Sequence, residues 1–402
     1  MKYLSLFCLV LASSALLAQT PHPVVPPGSV PLGYARPTVW LMDSAPVPAL
    51  TINPKSGLWV NIDEMKKVYG LDLITGQGAG ATIAIVDAYD SPNVLVDLNT
   101  FSTLYGLPLC DSTNFLKVNQ SGGTALPARD SGWEVEINLD TQWVHAIAPL
   151  AKIVLVEADD NSDLSLFTAE ATAATLASVV SNSWSGGEYP TQSSDWDSFM
   201  SQPYVTYLAS SGDSGGFIGY PSTSAKVIAV GGTTLGIGTA AQHYPVIFPV
   251  HETGWSGSGG GCSAYTPSLS FQKPLVPTIC KRRAVPDISM DADPNSGVLV
   301  QVSLQGGYYR VGGTSLACPM TAAVVGIANG ARQALGKLAL NNTLQHLYDH
   351  GMATWPTYVR DITSGTAGVW PFVWSSTVRF DFVTGLGVPV ANNLVPYLVS
   401  LP

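Results

Sequence analysis

Apolar residues fall on consecutive positions in five separate stretches of the chain: ATIAIVDAY, AKIVLVEAD, SVVSNSWS, YVTYLASSG and KVIAVGGTT. A strand with one wet face alternates apolar and polar side chains, whereas runs like these suit strands covered on both faces, as in a parallel sheet. Helix-length segments separate the runs from about Gly57 to the C-terminus. That order predicts one continuous α/β domain, doubly wound, with a mostly parallel sheet and helices on both faces. Sites in such sheets collect at the carboxyl ends of the strands. Four stretches fall there or just beyond: Asp87 after ATIAIV, SNSW ending at Trp184, SSGDSGG around Asp213, and GGTSLACPM around Ser315. No internal repeat interrupts the pattern.

The N-terminal part reads differently. Lys2 precedes an apolar run that ends in small residues, as an export signal does, so residues 1–18 are expected to be removed after Ala18 and the protein to be secreted into an extracellular space. The run is shorter than the ~20 residues a spanning helix needs, and no later segment reads as a membrane span. Residues 19–54 are proline-rich without strand or helix periodicity and are expected to form an extended tail or arm. Residues 55–402 then hold the folded domain. The 402 residues include 46% hydrophobic and only 11% charged side chains, with a formal charge of −10 and no basic cluster, which excludes nucleic acid as a natural partner and suits an extracellular protein working at low pH. With Cys8 lost in the signal, Cys262 and Cys280 flank one loop and are the pair expected to bridge, while Cys110 and Cys318 have no evident partner. Asn119 and Asn341 begin Asn-x-Ser/Thr sequons.

A serine on a tight glycine turn at the start of a helix exposes its hydroxyl beside the helix N-terminus, which makes Ser315 a candidate nucleophile, with Pro319 suited to the first helical turn. The bland alternative is an ordinary helix cap. A serine needs a base. Of the six histidines, His22 lies in the arm, His243 and His251 in a loop rich in Pro and Gly, and His346 and His350 after the last long helix; only His145 is placed to serve. Glu136 and Asp140, in SGWEVEINLDTQWVHAIAP, offer more. Four residues apart on a helix, they share one face among apolar neighbours, and two acids so placed share a proton and raise one pKa. Glu134 is a rival base, two residues from Glu136 and expected on another face.

At this point the sequence resembles the sedolisins, or serine-carboxyl peptidases, a family with a subtilisin-like fold; the resemblance covers nearly all of the chain beyond the arm. GGTSLACP is similar to the family's Gly-Thr-Ser-x-x-x-Pro motif, EINLD to its Glu-x-x-x-Asp helix, and SSGDSGG to its Gly-Asp-Ser-Gly turn. The resemblance implies Ser315 as nucleophile, Glu136 as general base, Asp140 as the acid that orients it, and Asp213 as the oxyanion-hole residue. It also implies that Asp87 is an acid linked to the catalytic pair and that Trp184 belongs to the same network. VRDITSG followed by VRFDFVTGLG resembles the family's calcium site, which implies a calcium ion held by the carboxylates of Asp361 and Asp381 and the main-chain carbonyls of Ile362, Thr377 and Arg379, where the family carries glycine at the last two. The family's members carry a long folded propeptide, and here the short arm precedes the domain. The expected activity is hydrolysis of peptides or unfolded protein at acid pH by a monomer. Two alternatives remain: a subtilisin-like triad of Asp87, His145 and Ser315, and an exported binding or scaffold protein without turnover.

Overall fold

The computed structural model describes residues 20–26, 28–48, 52, 59–236, 251–349, 356–369 and 372–402. The expected export signal, the arm's boundary at residue 54, His243 and His350 lie outside them. In the arm, β1 (His22–Pro23), β2 (Ala35–Pro37) and β3 (Trp40–Leu41) precede α1 (Ile62–Val68). The alternating core follows: β4 (Thr82–Ala88), α2 (Val94–Tyr105), β5 (Phe115–Asn119), α3 (Ser131–Ile147), β6 (Lys152–Ala158), α4 (Asp163–Leu176), β7 (Val179–Asn182) and β8 (Trp184–Gly186). Next come α5 (Gln192–Trp196), β9 (Thr206–Ser210), β10 (Val227–Leu235), β11 (Glu252–Gly254), β12 (Gly261–Pro267), β13 (Arg282–Val285), β14 (Ile288–Asp291), β15 (Val298–Val302), β16 (Gly307–Gly312) and α6 (Thr314–Ala334).

The main sheet has eight strands in the order β11-β10-β9-β7-β4-β6-β5, with β14 beside β10. Every pairing in it is parallel except that of the edge strand β11. This is the doubly wound, mostly parallel architecture expected from the apolar runs. Alternation along β4 shows why those runs carry no polar face. Ile83 and Ile85 join one core with α3 and α6, while Ala84 and Val86 join another with Leu166 and Phe167 of α4. Asp87 falls on the phase of Ile83 and Ile85, so the strand turns a carboxylate toward the α3 and α6 layer at its carboxyl end.

Helix α3 is fastened at its start by Asp130, whose carboxylate accepts the N–H groups of Gly132 and Trp133. From Trp133 to Ile147 every side chain is buried. Helix α6 has the length and apolarity to cross a membrane, yet nearly all of it is covered inside the fold, as a core helix is. Pro319 is its sixth residue, a turn later than expected from the sequence. Lacking an N–H, it leaves the Ser315 carbonyl free of the usual helical bond, and Ser183 Oγ stands 3.5 Å from that oxygen instead. Cys262 and Cys280 are bonded, as expected, and Cys110 and Cys318 are free and buried.

Candidate active site

Ser315 is the second residue of α6, two positions after Gly313, whose φ of 115° admits glycine with far less strain than other residues. The turn aims Ser315 Oγ at α3, where it donates to Glu136 Oε2 at 2.8 Å. One turn further along α3, Asp140 Oδ1 accepts the Ser183 hydroxyl at 2.9 Å. The remaining oxygens of this pair, Glu136 Oε1 and Asp140 Oδ2, are buried and have no hydrogen-bond partner among the described residues. One proton between them meets the needs of both. Burial pushes the Glu136 pKa well above the usual carboxylate range, and the charges of Asp140 and Asp87 add to the effect; burial and then Asp87 do the same to Asp140. Asp87, fully buried with no hydrogen-bond partner for either oxygen among the described residues, is pushed up to about 8 by burial. The three acids therefore form one buried cluster in which burial and mutual repulsion hold every carboxyl above the usual range.

Asp213 reaches the same turn from the end of β9. Its Oδ1 accepts the Thr314 N–H at 2.8 Å and the Thr314 hydroxyl at 2.7 Å, which fixes the carboxyl plane. Its Oδ2 is buried without a partner among the described residues, and burial raises this carboxyl to about 7 despite Arg36 nearby. Below that pH Asp213 is neutral and Oδ2 carries a proton to donate. A cavity of about 800 Å³ opens beside it, bordered by Arg36, Trp40, Trp255 and Asn295.

The arm enters this cleft, which its sequence did not announce. β2 lies antiparallel to β8, with Arg36 opposite Ser185 and Pro37 opposite Trp184. Thr38 then donates its N–H to the Ser183 carbonyl at 3.2 Å, and its own carbonyl accepts the Ser315 N–H at 3.1 Å. Its hydroxyl lies 2.7 Å from Ser315 Oγ and 2.6 Å from Ser210 Oγ. Sequence reasoning missed Thr38, Ser183 and Ser210. Ser183 carries a signal, since it sits inside SNSW at a strand end beside Trp184.

Other expected residues lie elsewhere. His145 is buried at the far end of α3, with Nε2 2.8 Å from the Pro108 carbonyl and Cys110 beside the ring, and burial lowers its pKa. The Asp87, His145 and Ser315 triad is therefore not assembled: His145 meets Pro108 and Cys110, and the side chain that Ser315 Oγ donates to is the Glu136 carboxyl. Glu134 faces away from the serine, as its position two residues from Glu136 implied, and pairs with Arg129 at 2.7 Å. Trp184 is not in the acid network. One step along the strand from Ser183, it faces the opposite core, donates Nε1–H to the Val86 carbonyl at 3.0 Å and packs edge-on against Phe167.

Asp361 and Asp381 do converge on one loop. Arg379 donates its N–H to Asp361 Oδ2 at 2.7 Å, and Thr377 donates its N–H to Asp381 Oδ2 at 3.1 Å. Thr384 and Val383 N–H groups hold Asp381 Oδ1. Asp361 Oδ1 is buried with no partner among the described residues, so it is an oxygen available to a cation. Among the described residues no three His, Cys, Asp or Glu side chains gather for a metal, so main-chain carbonyls would have to complete any coordination there. Arg379 has a φ of 74°, a left-handed conformation that glycine adopts without strain and an arginine rarely does.

Known proteins share the sequence pattern and the fold of this chain. Residues 130–365 match the subtilase family. The chain is 31% identical over 220 residues to sedolisin from Pseudomonas sp. (strain 101), covering 48% of this chain and 35% of that protein. It is 29% identical over 288 residues to tripeptidyl-peptidase sed4 of Aspergillus fumigatus, covering 56% of this chain and 44% of the relative. The matched stretch thus spans less than half the length of these curated relatives. A solved Pseudomonas sedolisin, described as a serine-carboxyl proteinase complexed with pseudo-iodotyrostatin, superposes with a TM-score of 0.72 at 26% identity, over 85% of this chain and 98% of that one. A lanthipeptide protease at 13% identity and a TM-score of 0.51 shares the fold.

Proposed function

The chain belongs to the subtilase family, in its sedolisin branch with the subtilisin-like fold, and from that membership we propose that it is a secreted serine peptidase that hydrolyses peptides or unfolded protein at acid pH. The observation that carries the reading is the 2.8 Å hydrogen bond from Ser315 Oγ to buried Glu136 Oε2. Ser315 Oγ attacks the substrate carbonyl while Glu136 takes its proton, and Asp140 keeps Glu136 oriented and shares the pair's remaining proton. Negative charge on the carbonyl oxygen is met by the Ser315 N–H at the positive end of α6 and by protonated Asp213. Glu136 returns the proton to the leaving amine, and water then hydrolyses the ester on Ser315 by the same route in reverse. All four groups come from one chain, which supports action as a monomer.

Asp361 and Asp381, with the carbonyls of Ile362, Thr377 and Arg379, are proposed to hold a calcium ion; the orphan Asp361 Oδ1 and the convergence of both carboxylates support it. The ion's part is to fasten the loop, and no step of the reaction runs through it. Secretion rests on the N-terminal signal pattern and on the Cys262–Cys280 bridge, which needs an oxidising compartment.

The test is a pH–rate profile on a denatured protein substrate for wild type, Ser315→Ala and Glu136→Gln, each with and without a calcium chelator. Wild type is expected to be active at acid pH and to fade toward neutrality. Glu136→Gln should lose about 10²–10⁴-fold in kcat. An alkaline optimum untouched by Glu136→Gln would overturn the mechanism.

A further inference from the structure

We propose that residues Ala35–Thr38 occupy the cleft as a built-in substrate strand, with Thr38–Val39 as the peptide bond presented to Ser315 and a small β-hydroxyl residue as the side chain the cleft selects before the cut. This rests on the peptidase reading above.

The register comes from hydrogen bonds. Extended peptides bind such clefts by adding a strand to an exposed edge. β8 supplies that edge, and β2 pairs with it antiparallel over Ala35–Pro37. The residue before a scissile bond places its carbonyl oxygen against the nucleophile's own backbone N–H and the other donor of the hole. The Thr38 carbonyl meets the first condition at 3.1 Å from Ser315 N. It also stands beside the second donor: a Cβ built on Gly313 would lie 2.3 Å from the Thr38 oxygen and 2.6 Å from Asp213 Oδ2, so the two flank one point. Neighbouring residues do not fill this place, because Pro37 is bound within β2 and Trp40 pairs with β16.

The side-chain preference follows from what surrounds the Thr38 hydroxyl. Ser315 Oγ, Ser210 Oγ and the Ser183 carbonyl lie 2.7, 2.6 and 3.3 Å from it, all buried. A valine of the same shape leaves the buried Ser210 hydroxyl and Ser183 carbonyl one partner short, and sites built to bond a substrate hydroxyl discriminate strongly against the analogue lacking it. Two residues earlier, Arg36 spans the cleft rim, donating to Ser214 Oγ at 2.9 Å and to the Val25 carbonyl at 3.2 Å.

The first turnover is then intramolecular. Ser315 Oγ bonds to the Thr38 carbonyl carbon, the C–N bond to Val39 breaks, and the serine proton passes through Glu136 to the new Val39 amine. Water then cleaves the ester and leaves Thr38 as a free carboxylate. Val39 and the following residues stay attached through β3, which pairs with β16, and through the Asp43–Arg310 ion pair.

The full chain would be incubated at acid pH and followed by intact mass and N-terminal sequencing. Wild type is expected to gain an amino terminus at Val39 at a rate independent of protein concentration, and Ser315→Ala to gain none. Thr38→Val should slow this about tenfold or more, while Thr38→Ser, which keeps the hydroxyl, should retain it. Cuts made in a denatured protein, mapped by mass spectrometry, should favour Thr and Ser over Val before the bond. A chain that digests denatured protein yet keeps Thr38–Val39 intact, or that cuts itself equally fast as Thr38→Val, overturns this inference and leaves the peptidase reading standing. Failure to digest protein, with no capture of Ser315 by a peptide aldehyde, overturns both.

Discussion

In the proposed mechanism three carboxyls around Ser315 would do the work that an imidazole and an amide do in other serine peptidases, and their environments separate them. Asp213 is the group with the clearest pH signature, since burial lifts it to about 7 and its Oδ2 must carry a proton to donate. The donor is present below that value and is lost as pH rises through it. Asp213→Asn supplies an amide N–H that does not titrate, so the alkaline limb of kcat/KM against pH should move upward in the variant; an unmoved limb would assign it to the Glu136 and Asp140 pair. His145→Ala, by contrast, should leave kcat/KM unchanged, because the ring contacts Pro108 and Cys110 rather than the serine. That Ser315, Glu136, Asp140 and Asp213 meet at one turn was legible because each sits in a short local motif. Ser183 and Thr38 were not. Their roles exist only through contacts spanning 145 and 277 residues, between Thr38 and Ser183 and between Thr38 and Ser315, and no local pattern encodes those.

Elements show the same division between local and distant information. The buried strands were readable from unbroken apolar runs, and α3 from its spacing of acids, because both signals lie within one element. The arm's strands are two or three residues long, too short for any period, so a proline-rich stretch read as a tail turns out to be paired with β8 and β16. The close fit of α6 was likewise hidden. Gly326 and Gly330 stand four apart on one helical face, and a Cβ would lie 2.5 Å from Ile83 Cδ1 at the first and 2.4 Å from the Ala79 carbonyl oxygen at the second. Ile83 can shift its side chain, whereas the Ala79 backbone has no such freedom. Gly330→Ala should therefore destabilise by about 1–3 kcal/mol, against a smaller loss for Gly326→Ala, despite the better helix propensity of alanine at both sites. Denaturant titration of the two variants checks the order; equal midpoints for Gly330→Ala and wild type would mean that α6 and the Ala79 turn separate freely.

At the scale of the whole molecule, several acids are buried, most of them without a cation beside them among the described residues. Burial raises Asp87 and Glu170 to about 8 and Asp213 to about 7, and pushes Glu136, Asp140 and Asp291 well above the usual range. Glu157 also rises to about 8 through burial, even with Lys117 nearby. Each of these groups holds its proton more tightly in the folded chain than in the unfolded one, where carboxyls titrate near 4. Their contribution to stability is therefore complete below about pH 4, and it is lost as pH rises through the folded values near 7 and 8. In that window each such group lowers stability by about 1.4 kcal/mol per pH unit, because the unfolded chain binds fewer protons. Acid unfolding ordinarily opposes this through repulsion among cations, but the chain carries only 18 lysines and arginines in 402 residues. The denaturation midpoint of Ser315→Ala, which removes self-digestion from the measurement, should be highest in acid and fall steadily toward neutral pH. A midpoint that instead rose between pH 4 and 8 would mean that these carboxyls are ionised and compensated in the folded protein, and the proton-holding cluster proposed for catalysis would lose its physical basis.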